Sequence, residues 1–298
     1  MASDKRPDPT LVAQRYADLW QAIQFDDQAR RAPNEEMELI DQVRNALDRK
    51  APNLLPESHS RIANSFLVEA VAIASDQTEI LHVRHIDLGS SHGLKTLRQS
   101  WCDDIVLTQS LRREAETGLR FRHPNIIETS ALLRLEDGRP GLLMPWHPVT
   151  LASLPSDQFL DEQEGSMILR SVLLALHAIH QEGLVHCDVT PSNIFLRENH
   201  FERSMLGDFG ITIPIGTRHK DIGLERAGSP EFAAPEQWRG EQAHPAQDIY
   251  ALGKLAEKIA SRIAERRMIW SELIERCCQT RREDRPQSAW EVLQMIPE

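Results

Sequence analysis

The chain has 298 residues, of which 41% are hydrophobic and 27% are charged, as in an ordinary globular protein. Its 34 Lys and Arg against 45 Asp and Glu give a formal net charge of −11, which argues against nucleic-acid binding through overall charge. The sequence predicts no signal peptide, no membrane span of about 20 apolar residues and no disulfide pattern, so we expect a cytoplasmic protein.

The first 60 residues predict a helical extension. One helix carries apolar residues on a single face: Val12, Tyr16, Leu19, Trp20 and Ile23. A second helix starts at Asn34 and carries Ile40, Val43 and Leu47. A Pro-flanked segment at 51–56 is typical of a linker. Because an apolar stripe needs a covering surface, we expect residues 1–60 to pack on the following domain, with a docking or dimerisation contact as the alternative.

From Phe66 the pattern changes to short strands. β-branched residues predict strands at 66–73 and 79–84, and a hairpin made by 129–135 and 141–144. Beyond Ser153 the apolar period becomes helical, with one wide face made by Met167, Leu169, Val172, Leu173, Leu176 and Ile179. Further helices are predicted at 246–263 and 270–278. Strands followed by helices predict an α+β architecture.

Two short motifs carry the chemistry. Asp188 and Asn193 lie five residues apart on a Pro-containing loop that follows an apolar run. Phosphoryl transfer needs such a pair, because a carboxylate orients a hydroxyl and a neutral oxygen holds a metal. Asp208-Phe209-Gly210 follows, with a second carboxylate suited to a metal. In this order and at this distance, the motifs resemble the catalytic loop and DFG motif of eukaryotic-type (Hanks-type) protein kinases.

Other motifs extend the resemblance over roughly residues 66–296. Lys95 stands where the family has its third-strand lysine, and Glu114, nineteen residues later, matches the glutamate that pairs with it. Four more matches follow in the family's order: His-Pro-Asn at 123–125, the segment ending in Ala-Pro-Glu at 228–236, the helix start at Asp248, and Arg285 as the partner of Glu236.

The resemblance implies a bilobal protein-kinase-like fold. A small β-rich N-lobe would cover about 61–145 and a larger helical C-lobe about 146–298, preceded by the helical extension at 1–60. The implied function is ATP- and Mg²⁺-dependent phosphoryl transfer to Ser or Thr hydroxyls of proteins, by a bacterial-type member. The implied partner is therefore a protein substrate, together with a partner or dimer contact through residues 1–60.

Five catalytic roles follow from the resemblance. Asp188 would orient and deprotonate the acceptor hydroxyl, while Asn193 and Asp208 would hold Mg²⁺ against the phosphates. Lys95 would bind the ATP phosphates and be held in place by Glu114.

The adenine site is also implied by the resemblance. Met144 falls at the gatekeeper position, and Pro145 with His147 would form the hinge. Pro145 keeps a carbonyl acceptor for adenine, and His147 keeps its backbone N–H.

The phosphate-covering loop departs from the family. Ala74, Asp76 and Glu79 match the three glycines, so this is a degenerate glycine-rich loop. Glycine lets a backbone approach phosphate closely, and two of these residues add negative charge. We therefore expect weakened nucleotide binding, or a loop that stands back from the phosphates.

Smaller departures concern the surroundings of the site. Cys187 replaces an Arg that in many members binds a phosphorylated activation loop, and Thr190 replaces a Lys. Gly118 replaces an apolar residue that braces the helix carrying Glu114, where a mid-helix glycine costs about 1 kcal/mol relative to Ala. Only 37 residues separate Asp248 from Arg285, which leaves little room for a helix that often docks protein substrates.

Three functions remain open at this point. A catalytic Ser/Thr kinase accounts for the retained carboxylates, a pseudokinase scaffold for the lost glycines, and a small-molecule phosphotransferase for the Asp-to-Asn loop alone. Thr217 is the main candidate for autophosphorylation, since Ser and Thr are sparse in this segment. His177 and His180 are expected to form a partly exposed surface pair.

Overall fold

A computed structural model describes residues 9–26, 29–50, 61–197, 200–224, 227–263 and 268–296. The chain divides into two compact units, Met1–Asn64 and Ser65–Glu298. The linker predicted at 51–56 lies outside the described residues. None of the helices in the described part is long and apolar enough to cross a membrane.

The described residues of the first unit form two helices and three short strands. Its elements in chain order are α1 (Pro9–Gln24), β1 (Phe25–Asp26), β2 (Ala29–Arg30), α2 (Pro33–Lys50) and β3 (Arg61–Ile62). β1 and β2 pair antiparallel. Both predicted helices form, but Tyr16, Leu19 and Trp20 on the apolar face of α1 are exposed, and Ile23 is buried. A helical period predicts the helix, whereas burial also requires a covering surface.

The second unit begins with an antiparallel sheet and one helix. Its elements are β4 (Phe66–Ala74), β5 (Thr78–His85), β6 (Ser91–Leu97), α3 (Ile105–Gly118), β7 (Ala131–Arg134) and β8 (Pro140–Pro145). These strands have the order β4-β5-β6-β8-β7. The Asp104 side chain accepts a hydrogen bond from Leu107 N and so starts α3. α3 packs its apolar side on β6 and β8 through Leu111, Ala115, Leu97, Leu142 and Met144.

Helices dominate the rest of the unit. Its elements are α4 (Glu162–Gln181), β9 (Leu184–Val185), β10 (Ile194–Phe195), β11 (Met205–Leu206), β12 (Ile213–Pro214), α5 (Pro235–Trp238), α6 (Pro245–Ala260), α7 (Met268–Cys277) and α8 (Ala289–Leu293). A reciprocal capping box between Asp161 and Glu164 begins α4. The predicted buried face of α4 is confirmed at Leu169, Val172, Leu173, Leu176 and Ile179. This face forms the centre of one large core with α6, α7 and α8.

The connections between the short strands carry the polar residues of interest. β9 and β12 pair, as do β10 and β11. The loop 186–193 therefore leaves β9 and returns into β10, while the turn 207–212 joins β11 to β12. Two pairs of strands thus bring the two sequence motifs side by side beneath the sheet.

Candidate functional site

The loop 186–193 is fixed by one buried carboxylate from α6. Asp248 accepts hydrogen bonds from the backbone N–H groups of His186 and Cys187, each at 2.8 Å. His180 Nε2 on α4 lies 2.8 Å from the same carboxylate. Burial alone would raise the pKa of Asp248, but the hydrogen bond and charge of His180, with the other donors, lower it below its ordinary value. The loop is therefore held by a carboxylate that stays ionised.

Asp188 is held at both carboxylate oxygens. The Ser229 hydroxyl donates to Oδ1 at 2.9 Å. The Asn193 side-chain amide donates to Oδ2 and to the backbone carbonyl of Asp188, each at 2.9 Å. The residues five apart in sequence are thus in direct contact, and the carboxylate has one orientation.

Lys95 lies between two carboxylates. Its ammonium is 2.8 Å from Glu114 Oε1 and 3.0 Å from Asp208 Oδ2. Burial raises the pKa of Glu114 to about 7, although the charge of Lys95 opposes this. For Asp208, burial is outweighed by Lys95 and by the backbone N–H of Gly210, so its pKa is lowered. The two carboxylates keep Lys95 charged, since they raise its pKa despite burial.

Two residues of the site adopt left-handed backbone conformations. Cys187 has φ 68° and Asp208 has φ 66°. Such values are uncommon for residues other than glycine and persist where surrounding contacts enforce them. The contacts are the hydrogen bond from Cys187 N to Asp248 at 2.8 Å and the two partners of Asp208 described above. Strain at both motifs is a feature typical of functional sites.

Lys95, Glu114, Asn193 and Asp208 all line one cavity of about 250 Å³. Its upper side comes from the sheet and its lower side from β10 and the turn after β11. The residues that line it include Ile80, Lys95, Leu142, Met144, Glu114, Asn193, Phe195 and Asp208. An apolar cleft that ends in a few convergent charged groups is the usual form of a small-molecule site.

The strand that carries Met144 continues into the segment predicted as the hinge. Pro145 ends β8. The next residue, Trp146, stacks on His82 of β5 with ring centroids 4.3 Å apart. The His147 ring lies 6.4 Å from the ring of Phe195, which lines the lower side of the cavity. Met144 and Phe195 line the cavity, and the role of Pro145 and His147 as its hinge stays a prediction.

Comparison with known sequences agrees with this geometry. The profile of the family described as a protein kinase domain matches residues 77–271, well over half of the chain. The chain belongs to the protein kinase domain family. The predicted bilobal fold class is confirmed, with the sheet and α3 as the N-lobe region and the helices from α4 onward as the C-lobe of this kinase.

Three of the relatives that the chain matches are named serine/threonine-protein kinases. It is 30% identical over 204 residues to pkn3 of Myxococcus xanthus, covering 64% of this chain and 37% of that protein. It is 34% identical over 154 residues to PknK of Mycobacterium tuberculosis, covering 49% and 13%. It is 27% identical over 205 residues to PrkC of Bacillus subtilis, covering 68% and 31%. The matched part spans less than two fifths of the length of each relative.

At the phosphate-covering turn, one of the three residues matched to the family's glycines, Glu79, lines the cavity. The cavity is lined by Ile73, Ser75, Thr78 and Glu79, and Ala74 and Asp76 are not among its lining residues. Phosphate contact through Ala74 and Asp76 therefore stays a prediction. The charge argument changes too. Asp76 is exposed, and Glu79 lies 3.4 Å from Arg139.

The other departures also have structural explanations. Gly118 is the last residue of α3 rather than a mid-helix residue, and the buried Thr129 fills the space beside it. Cys187 is buried and its pKa is raised, by burial first and then by the charges of Asp248 and Asp188, so its thiol is neutral. Thr190 is buried, with its hydroxyl 3.5 Å from Ser192.

The predicted ion pair of Glu236 and Arg285 is confirmed. The guanidinium makes two parallel contacts with the carboxylate, at 2.7 and 2.9 Å, and both side chains are buried. Arg285 also stacks over Tyr250 at 4.9 Å. The pair ties the segment ending at Glu236 to the C-terminal helices.

Three site residues escaped the sequence reasoning. His180 was expected at the surface, but its side chain is 9% exposed and bonded to Asp248. Phe195 lines the cavity. It lies two residues after Asn193, and residues two apart in an extended segment share a face, so the spacing could have predicted this. Ser75 closes the phosphate-covering turn, and the pattern Ser-x-x-Thr is a known turn signal.

Proposed function

We propose that this kinase transfers the γ-phosphoryl group of ATP to Ser or Thr hydroxyls of protein substrates, with Mg²⁺. One observation carries the proposal: a fully oriented Asp188 lies beside a cavity into which Lys95, Asn193 and Asp208 converge. The serine/threonine kinase relatives support the acceptor class. We assign the N-lobe to about 61–145 and the C-lobe to about 146–298, with 1–60 as a separate extension.

The apolar part of the cavity fits a purine base. Ile80 and Met144 would cover one face of the base, and Phe195 would stack on the other. The Pro145 carbonyl and the His147 N–H, which follow Met144 directly in the chain, would bind the polar edge of the base. Lys95 at the inner end would bind the phosphates, because an ammonium with three donors suits phosphate oxygens.

The oxygen donors of the site fit Mg²⁺. This ion is commonly held through one or two carboxylates plus substrate phosphates, and it supplies charge neutralisation at those phosphates. Asp208 stays ionised, and Asn193 spends its amide N–H groups on Asp188, which leaves Oδ1 as a ligand. Within the described residues, no three His, Cys, Asp or Glu side chains form a metal-binding group. Asp208 and Asn193 would hold the ion together with oxygens of the nucleotide phosphates.

Asp188 and Lys95 would have different roles in the transfer. Ser229 and Asn193 hold Asp188 so that its carboxylate can accept the proton of an acceptor hydroxyl. Lys95 stabilises negative charge on the phosphates and is itself positioned by Glu114. Proximity and orientation supply most of the rate in such a reaction.

A second groove supports binding of the acceptor beside Asp188. It has a volume of about 380 Å³ and is lined by Thr190, Ser192, Ser229, Glu231, Phe232 and Lys258, among others. Ser229 belongs to both the groove and the contacts of Asp188. An acceptor segment in this groove would lie within reach of the catalytic carboxylate.

A pseudokinase scaffold is the alternative, favoured by the glycine-free phosphate-covering turn. Partner or dimer contacts through residues 1–60 belong to this alternative as well as to the kinase. A small-molecule phosphotransferase is less well supported, since the buried pair of Glu236 and Arg285 anchors a protein-kinase-type segment.

The deciding experiment is Mg²⁺-dependent transfer of labelled γ-phosphate from ATP to the chain itself and to generic protein substrates. Wild type is compared with Asp188→Asn and Asp208→Asn, which keep side-chain shape, and with Asp157→Ala at an exposed position as the control. We expect transfer by wild type and the control alone. A folded wild type without transfer favours the pseudokinase, and a nucleotide-dependent shift in Tm then reports whether ATP binds.

A further inference from the structure

The turn between β4 and β5 is closed by its own serine. The Ser75 hydroxyl accepts hydrogen bonds from the backbone N–H of Gln77 at 3.3 Å and of Thr78 at 3.0 Å. Ser75 N–H donates to the Thr78 carbonyl at 2.8 Å. The side chain therefore engages two backbone donors at the tip of the turn.

The carbonyl groups of the same turn are bonded to the segment that leads into α3. Arg98 Nη1 donates to Ser75 O at 3.2 Å, and Arg98 N donates to Gln77 O at 2.9 Å. Trp101 Nε1 donates to Asp76 O at 2.9 Å. Arg98 and Trp101 thus donate to three consecutive carbonyl groups of the turn, and these hydrogen bonds restrain its position.

Ser75 and Thr78 line the same cavity as Lys95 and Asp208. Backbone N–H groups in a turn are good ligands for phosphate oxygens, and a loop over the phosphates contributes through them. Here the N–H groups of Gln77 and Thr78 already have an acceptor. A phosphate at this turn would have to displace the Ser75 hydroxyl.

Side-chain charge gives no competing reason for weak phosphate contact at the turn. Asp76 is exposed on the outer side, and Glu79 lies 3.4 Å from Arg139, which offsets its charge. The Ser75 hydroxyl is the group that accepts hydrogen bonds from the backbone N–H groups of Gln77 and Thr78.

Resting on the proposed function, we propose that Ser75 is a specificity-determining residue of the nucleotide site. Its hydroxyl holds the two N–H groups that a nucleotide phosphate would otherwise take. Ser75 therefore sets how much of the affinity for ATP comes from the phosphates rather than from adenosine. The wild-type chain discriminates weakly between ATP and adenosine for this reason.

Calorimetric titration of the full chain tests this proposal. MgATP and adenosine are titrated into wild type, Ser75→Ala, Ser75→Thr and the exposed control Ser100→Ala. A hydrogen bond to a charged acceptor is worth about tenfold in affinity, so the ATP-to-adenosine affinity ratio should rise about tenfold in Ser75→Ala. Ser75→Thr keeps the hydroxyl, so it should keep the wild-type ratio, as should Ser100→Ala. A merely structural serine would change both affinities together.

The outcomes separate this proposal from the function on which it rests. A wild-type ratio in Ser75→Ala, with circular dichroism and Tm showing a folded chain, overturns the role of Ser75 but leaves the nucleotide site standing. If Ser75→Ala does not fold, Ser75→Gly replaces it, with the same expected rise. If no variant binds either ligand, both proposals are wrong.

Discussion

Gly118 at the end of α3 faces Thr129 so closely that a Cβ added to the glycine would lie 2.1 Å from Thr129 Oγ1. The same added Cβ would lie 3.5 Å from the ring of Phe209, the residue after Asp208. Thr129 is buried and comes from the segment before β7. The side chain of Thr129 therefore occupies the space that a larger side chain at position 118 would fill. At this point α3 packs through its backbone against Thr129.

Replacement of Gly118 by alanine should destabilise the kinase. Helix propensity alone favours Ala over Gly, but the clash with Thr129 is an overpacking of the core and should lower the free energy of unfolding by about 1–3 kcal/mol. Urea denaturation monitored by circular dichroism measures the change. The double variant Gly118→Ala/Thr129→Ala should recover part of the loss, because it removes Oγ1. Equal losses in single and double variants would show that the contact is not the cause.

Removal of the Ser229 hydroxyl should slow catalysis without weakening nucleotide binding. Asp188 would keep its bond from Asn193 but lose the donor to Oδ1, so its orientation would be less restricted. One lost hydrogen bond to a charged group corresponds to a fall in kcat of about tenfold or more. Steady-state kinetics of Ser229→Ala give kcat and the KM for ATP separately. Ser166→Ala, whose hydroxyl bonds within α4, is the control and should match wild type. A change confined to the KM for ATP would contradict the positioning role.

Substitution of Asp248 by asparagine should cost about 3 kcal/mol at neutral pH, since a buried charged acceptor with three donors is lost. The pKa of Asp248 is lowered in the folded chain, so its contribution is present above the unfolded value of about 4. That contribution is lost as the pH falls through the lower folded pKa. The difference between wild type and variant should therefore be constant from pH 7 to about pH 5 and shrink below about pH 4. Urea titrations across this range measure it. A difference that grows in acid would contradict the assignment.

The buried and exposed ion pairs should differ sharply in their effect on stability. Arg285→Met leaves Glu236 buried without its partner and should cost about 3–5 kcal/mol. Arg120→Met breaks an exposed pair with Glu182 at 2.9 Å and should cost less than about 1 kcal/mol. Arg285→Lys should recover little, because an ammonium cannot reproduce the two parallel bonds. Denaturation of the three variants tests the ranking, and equal effects of Arg285→Met and Arg120→Met would refute it.

Thr217 should be modified in active protein. It is half-buried, and its neighbourhood is held by two hydrogen bonds of 2.8 Å, from Gly216 N to Ala243 O and from Ala243 N to Thr217 O. We expect weak phosphorylation there after incubation with MgATP. Mass spectrometry of wild type and of Asp188→Asn gives the site map, with the variant as the control. An active chain without phosphate on Thr217 would remove this prediction.

The packing predicted for residues 1–60 can be tested by limited proteolysis. If they pack on the catalytic domain, cleavage in this segment should be slow, and removal should lower the Tm of the remaining domain. Rapid loss with an unchanged Tm would count against it.

The sequence by itself identified the protein-kinase motifs and their order along the chain. Asp188 and Asn193 are five residues apart, so the loop alone brings them together, and the positions of Lys95, Glu114 and Asp208 follow the same chain order as in the family. Strand and helix periods also located most elements, because a period is a local property of the chain.

Only the tertiary structure decided which neighbouring groups complete the site. The turn between β4 and β5 places Ser75 and Thr78, which local patterns had not singled out, among the residues that line the cavity. The side chain of His180 is largely covered and bonded to Asp248, which is 68 residues away in the chain. Local patterns specify local backbone conformation, whereas burial and register depend on contacts between segments that are distant in the chain.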